Sequence, residues 1–251
     1  ARRRAACSSG WTDMGTPAGG GAADAPRILL ETDRLVAVDK PAGIIVHGDG
    51  TGTRNLTDLL RARLAERGGD GSARAGELQP LQRLDRDTSG IVLFSAAKAT
   101  QPAYDRLIAE HRMEKTYLAI ACGVPAWDER TLTWPICRDR HDARRMRTGR
   151  AGKPAVTHVR VLDARRSPQG PLALLEVRIE TGRKHQIRVH LARAGLPIAG
   201  DALYGRADGA GLMLHAAHLS FADPVDGAAI DIASPAPERM RALFPRTLRA
   251  R

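Results

Sequence analysis

The spacing of apolar residues changes several times along the chain, and each change marks an element. Ile28-Leu29-Leu30 and Leu35-Val36-Ala37-Val38 are short apolar runs parted by the polar turn Glu31-Thr32-Asp33-Arg34, which predicts two strands. The second runs into a Pro/Gly turn, Asp39-Lys40-Pro41-Ala42-Gly43. Leu56, Leu59, Leu60 and Leu64 then recur at helical spacing. Asn55, with Asp58 three residues on, is placed as an N-cap, so a helix is expected to run to about Arg67. Residues 68–76 are expected to form a flexible loop. Ile91-Val92-Leu93-Phe94 reads as a buried strand, and a helix is expected over roughly 100–111. Residues 115–121 alternate, with Leu118 and Ile120 on one face and Tyr117 and Ala119 on the other. Residues 157–162 and 175–180 alternate too, and the Pro/Gly-containing stretch 163–171 joins them as a long hairpin. Ile187, Leu191 and Ala194 mark one helix face, which Gly195 is placed to end. The whole is mixed α and β with hairpin-like strand pairs. It lacks the steady βαβ alternation, a Gly-rich phosphate loop and an internal repeat.

Composition narrows the class of partner. A chain of 251 residues makes one large domain or two small ones, and aromatics at 4% leave the core to Leu, Val, Ile and Ala. Lys and Arg number 39 against 28 acids, a formal net charge of +11. That balance favours a polyanionic partner such as nucleic acid, or an acidic membrane surface; the bland alternative is an Arg-biased exterior. No apolar run approaches the roughly 20 residues of a membrane span. Cys7, Cys122 and Cys137 form no CxxC pair and no metal-ligand spacing. An odd number argues against a disulfide framework, so a reducing, cytoplasmic setting is expected, with Cys122 and Cys137 buried or incidental. Residues 1–10 carry Arg and Ser and no acid, faintly like a transit peptide. The missing initiator Met, with Met14 inside, fits a mis-called or truncated start better. Residues 15–25 are Gly/Ala-rich. Residues 1–26 are therefore expected to be a disordered or truncated segment, and 27–251 one folded domain.

Three segments could carry chemistry. Gln82-Arg83-Leu84-Asp85-Arg86-Asp87-Thr88-Ser89-Gly90 interleaves two carboxylates with two arginines before a buried strand. Nearby guanidinium favours an ionised carboxylate, which can act as nucleophile or base; the bland alternative is a salt-bridged turn. Glu180-Thr181-Gly182-Arg183-Lys184-His185-Gln186-Ile187-Arg188-Val189-His190 gathers basic groups and a Gln at a helix N-terminus, a good place for phosphate, or simply a solvated helix start. His185 and Arg188, three apart, share a helix face. A zinc reading of His185 and His190 is weak at a spacing of five. Residues 138–153 carry six arginines and one lysine against Asp139 and Asp142, and are expected to be an exposed basic loop that tracks phosphates. His215 and His218 read as structural, and His47 as a possible groove residue.

These residues resemble the RluA-type family of pseudouridine synthases, from about Ile28 to Phe244. Asp39-Lys40-Pro41-Ala42-Gly43 is similar to its first motif, and Arg83-Leu84-Asp85-Arg86-Asp87-Thr88-Ser89-Gly90 to its second, which bears the catalytic aspartate. Lys115-Thr116-Tyr117-Leu118-Ala119 resembles the element with an active-site tyrosine, and residues 181–190 the third motif. Gly200-Asp201-Ala202-Leu203-Tyr204-Gly205 and Leu214-His215-Ala216 fit the downstream pattern. Two departures stand out. Gln82 takes the place of the usual His, which removes a titratable ring. The residues before Arg27 are too few for the S4-type RNA-binding domain that many relatives carry, so this subgroup lacks it or the sequence has lost it.

The resemblance implies an α+β catalytic domain, with a mixed, mostly antiparallel sheet and a central RNA-binding cleft. It implies isomerisation of uridine to pseudouridine in structured RNA, with no cofactor and no metal, by a protein expected to be a monomer. Asp85 would be the catalytic carboxylate, as nucleophile or in proton handling at C1′. Arg188 would pair with it, and Tyr117 would stack on the flipped base. Arg83, Arg86, Lys115, Arg183, Lys184, His185 and Gln186 would contact RNA, as would Arg144, Arg145 and Arg147 of the basic loop. Residues 47–52 are similar to the ribosomal branch, which tilts the expectation from transfer RNA toward ribosomal RNA. Two rivals differ in class. A glycoside hydrolase needs a second acid flanking the sugar, and none is evident outside the Asp85 loop. A non-catalytic RNA-binding protein explains the charge but not Asp85, Tyr117 and Arg188 together.

Overall fold

The computed structural model describes residues 26–48, 50–168 and 170–249, so the segment expected to be disordered lies, but for Pro26, outside the described residues. In chain order the elements are β1 (Arg27–Glu31), β2 (Leu35–Lys40), α1 (Leu56–Ala65), α2 (Asp70–Glu77), β3 (Gln79–Pro80), β4 (Ser89–Ser95), α3 (Gln101–Ala109) and β5 (Glu114–Cys122). There follow β6 (Glu129–Leu132), β7 (Ile136–Arg138), β8 (Met146–Thr148), β9 (Thr157–Ser167), β10 (Gly170–Ile179) and α4 (Gln186–Arg193). The chain ends with β11 (Leu214–Ala222), β12 (Ala229–Ala233), α5 (Glu238–Arg241) and α6 (Pro245–Leu248).

Among the described residues, ten strands share one sheet in the order β1-β2-β4-β11-β5-β10-β9-β6, with β12 beside β11 and β3 beside β4. The pairs are antiparallel except β4 with β11. That parallel pair spans only two positions, Ser89 with His215 and Gly90 with Ala216. It is a narrow seam between two halves of the sheet. Gly90 makes it possible: its φ is +110°, and a Cβ there would lie 2.2 Å from Ala216 O.

Each half has its own core. Along β2 the side chains alternate, so Val36 and Val38 pack with Leu56, Leu60 and Leu64 of α1, while Leu35 and Ala37 pack on the opposite face with Tyr104 and Leu107 of α3. In the other half, β5, β10 and β11 pack against Ile187 and Leu191 of α4 and Met240, Phe244 and Leu248 at the C-terminal end. The N-cap of α1 is as expected, with Asn55 Oδ1 accepting from the Asp58 amide at 3.0 Å.

Four expectations are corrected. Residues 68–76 hold helix α2 rather than a loop, because Gly71 lets that helix lie against α1: a Cβ there would meet Leu64 O at 2.3 Å. The long hairpin of β9 and β10 is as expected, but its joining stretch 163–171 is mostly strand, since β9 continues to Ser167 and β10 starts at Gly170. The basic stretch 138–153 is a folded arm built on the β7–β8 hairpin and tied by an Ile136–Lys153 bridge. Its Ile136 and Met146 pack with Ala155, Val189 and Tyr204. Cys122 is exposed and Cys137 only partly buried.

Candidate active site

Asp85 lies in the turn before β4, at the seam. The turn is fixed from below by Lys40, a fully buried side chain at the end of β2. Its Nζ donates to Pro41 O, Ile44 O and Arg86 O at 2.8–2.9 Å. Burial pushes the Lys40 ammonium down to about 8, against the charges of Asp87 and Asp85. The Gly43 amide also donates to Arg86 O, and Arg86 Nε donates to Gly43 O at 3.0 Å. The first two motifs thus hold each other. Arg86, expected on phosphate, also serves as a backbone clamp.

Arg188 reaches Asp85 from α4. The turn into this helix is locked by Gln186, whose side chain accepts from Thr181 Oγ1 and the Arg183 amide and donates to Val156 O and Thr157 Oγ1. Gln186 is buried with its amide fully engaged, so its expected RNA contact is replaced by a structural role. Arg188 Nη1 donates to Asp85 Oδ2 at 3.0 Å. Its Nε and Nη2 form a fork on Asp201, both at 2.8 Å. Burial works against the Arg188 charge, yet the bonds to Asp201 and then Asp85 hold its pKa above the usual value. Asp201, also opposed by burial, is held below the usual carboxylate range by Arg188 and by the Leu203 and Tyr204 amides.

Asp201 is the functional residue that reasoning on sequence alone passed over. No local pattern marks it; the structure shows the Leu203 and Tyr204 amides turning back onto its Oδ1, as in an Asx turn. It does not supply the acid pair of a glycoside hydrolase, because its side chain is fully buried and occupied by Arg188.

The cleft above Asp85 has a volume of about 980 Å³, and its wall includes Arg83, Asp85, Lys115, Tyr117, Lys184 and Arg188. His47, Gln82, Arg183 and His185 also face it. Tyr117 projects from β5, where burial, then the Asp85 charge, pushes its phenol well above the usual range. Burial lowers the Lys115 pKa. His185 stands at the N-cap of α4 in the left-handed region, φ +56°, with Nε2 3.8 Å from Asp85 Oδ1.

The arm arginines lie outside the cleft wall. Arg144 is exposed and paired with Asp142 at 2.9 Å, Arg147 is exposed, and Arg145 turns inward over the Tyr204 ring, 5.2 Å from its centroid. His215 is structural, as expected: it is buried between Ser89 Oγ and Ser234 O. His190 is engaged by Thr157 Oγ1 and Trp134 O. Among the described residues no cluster of His, Cys, Asp and Glu could hold a metal ion, and no helix is long and apolar enough to cross a membrane.

Known proteins resemble this chain in sequence and fold. The RNA pseudouridylate synthase family matches residues 34–193. The chain is 34% identical over 221 residues to the uncharacterized RNA pseudouridine synthase YhcT of Bacillus subtilis, across 86% of this chain and 70% of that one. It is 34% identical over 233 residues to ribosomal large subunit pseudouridine synthase D of Zymomonas mobilis, across 86% and 71%. Among solved structures, human RNA pseudouridylate synthase domain containing 1 superposes with a TM-score of 0.70 at 26% identity, over 88% of this chain and 87% of that one.

Proposed function

The chain belongs to the RluA-type family of RNA pseudouridine synthases, and on that premise we propose that Asp85 is its catalytic carboxylate and large-subunit ribosomal RNA its substrate. One observation carries the assignment of Asp85: of the two acids that line the cleft among the described residues, Asp85 and Glu180, it is the one that an arginine shared with a buried further acid holds from behind. Relatives named for the large ribosomal subunit favour that RNA over transfer RNA.

The reaction breaks the N1–C1′ bond of a uridine, turns the base and joins C5 to C1′, with loss of the C5 hydrogen. The uridine must leave its stack to reach a carboxylate at the floor of a cleft. Asp85 then acts at the sugar, as nucleophile at C1′ or in proton handling there. Arg188 keeps the carboxylate oriented while charge moves. Tyr117, a buried phenol beside Asp85, stacks on the extruded base and is placed for a late proton transfer. Arg83, Lys115, Arg183 and Lys184 at the cleft wall hold the flanking phosphates, and Arg144 and Arg147 extend that basic surface along the arm.

The test is tritium release from RNA carrying uridine tritiated at C5, with ribosomal and transfer RNA assayed separately. Wild type should release tritium from large-subunit RNA, and folded Asp85→Ala should release none. Release from transfer RNA alone would overturn the substrate assignment. Undiminished release by Asp85→Ala would overturn the catalytic one.

A further inference from the structure

Tyr204 touches the site and the basic arm together. Its hydroxyl accepts from the Met146 amide of β8 at 2.7 Å and lies 2.8 Å from His185 Nδ1. Its ring stands edge-on to His185 and carries the guanidiniums of Arg145 and Arg188, each 5.2 Å from the centroid. His185 in turn places Nε2 3.8 Å from Asp85 Oδ1, while Arg188 holds Oδ2. We propose that Tyr204 is a positioning residue of the Asp85 site: held by the Met146 amide, its hydroxyl donates to His185 Nδ1 and so leaves the ring's proton on Nε2, facing Asp85 Oδ1.

The proton count supports this direction. A phenol has one proton and two lone pairs, and the Met146 N–H occupies one pair. The neighbouring acceptor for the phenol proton is Nδ1. The opposite tautomer would leave that proton without Nδ1 and would set the bare Nε2 lone pair against a carboxylate oxygen. Burial lowers the His185 pKa despite the Asp85 charge, so the ring is neutral and has two distinct nitrogens. Burial also raises the Tyr204 pKa, which keeps the phenol protonated and able to donate. At 3.8 Å the Nε2–H is short of a hydrogen bond, and a small movement closes it. Asp85 is then held at both oxygens, by a cation on one and a neutral donor on the other. The arm, through its Met146 amide, fixes the second donor.

The proposal rests on Asp85 being the catalytic carboxylate, and loss of tritium release in folded Asp85→Ala, against release by wild type, checks that reading separately. Three full-chain variants test the proposal itself. Tyr204→Phe keeps the ring and its stacking but removes the hydroxyl. His185→Gln keeps an N–H at the reach of Nε2, whereas His185→Leu removes it, and both carry the same left-handed backbone strain. Single-turnover tritium release at saturating RNA should fall about tenfold in Tyr204→Phe, with RNA affinity unchanged, and about tenfold in His185→Leu, and recover most of the way in His185→Gln. NMR of the imidazole nitrogens should show His185 protonated at Nε2 in wild type and mixed in Tyr204→Phe. A wild-type ring protonated at Nδ1, or Tyr204→Phe turning over at the wild-type rate, would overturn the proposal. Equal losses in His185→Gln and His185→Leu would do so too.

Discussion

Arg188 directs three N–H groups at two carboxylates, and the geometry leaves little tolerance for another cation. The fork on Asp201 needs a planar group with two parallel donors, and the third donor must still reach Asp85. Lysine carries the same charge on a single point and cannot span both acids. Arg188→Lys should therefore lower the rate of tritium release by about 100-fold. It should also lower the melting temperature by several degrees, because Asp201 stays buried with an incomplete partner set. Rate and thermal unfolding measured on one preparation check both, and a variant with wild-type values in each would show that charge alone suffices. At this scale the sequence was partly legible. Asp85, Tyr117 and Arg188 were named from motifs, and the structure brings all three to one cleft. Gln186 was misread because its residue type suits RNA as well as it suits a turn; only the buried partners from Val156, Thr157 and Thr181 decide between them.

Among elements, the pairing of β4 with β11 sets where the site can be. Two glycines in the first two motifs both have positive φ, yet they answer to different causes. Gly90 sits where any Cβ would collide with the Ala216 backbone, whereas Gly43 has nothing within 4 Å of that position. Gly43→Ala should cost about 1 kcal/mol of backbone strain alone, and Gly90→Ala more than about 3 kcal/mol, since backbone atoms across the seam cannot move aside. Urea unfolding of the two variants separates them, and equal losses would mean that the close approach at Gly90 does not matter. The same physics explains what the pattern of residues missed. The pattern of residues marks β1, β2, α1, β4, α3, β5, β9, β10 and α4. Helix α2 reads as a loop in the sequence because its glycines look like punctuation, although Gly71 serves close packing on α1. The folding of the arm is not legible locally because its few apolar residues, Ile136 and Met146, pack with Val189 and Tyr204 far along the chain as well as with nearby Ala155.

For the molecule as a whole, the net charge of +11 suits an RNA surface but places buried imidazoles in a protein that already repels protons. His185 caps α4, His190 lies within it and His215 lies on β11, and burial is the first cause lowering each of their pKa values from 6.5. Opposing contributions come from the Asp85 charge at His185, the Trp134 carbonyl at His190 and the Ser234 carbonyl at His215. The direction of the pH effect follows. Below pH 6.5 the unfolded chain takes up protons on these rings while the folded chain does not, so stability falls as pH falls. The loss continues until the lowered folded-state values are reached. Its slope can approach about 4 kcal/mol per pH unit while all three rings stay neutral in the folded state. Above pH 6.5 both states hold the rings neutral, and this contribution is flat. The burial of these rings was not readable from their neighbours in sequence: His190 lies between β9 and the Trp134 backbone, and His215 between β4 and the strand-end carbonyl of Ser234. Thermal unfolding from pH 7.5 to 5 should therefore show a melting temperature that is level at first and drops steeply once the medium passes below 6.5. A curve that stayed level down to pH 5 would mean that the three rings are protonated as readily inside the protein as in water, and that His185 faces Asp85 as a cation.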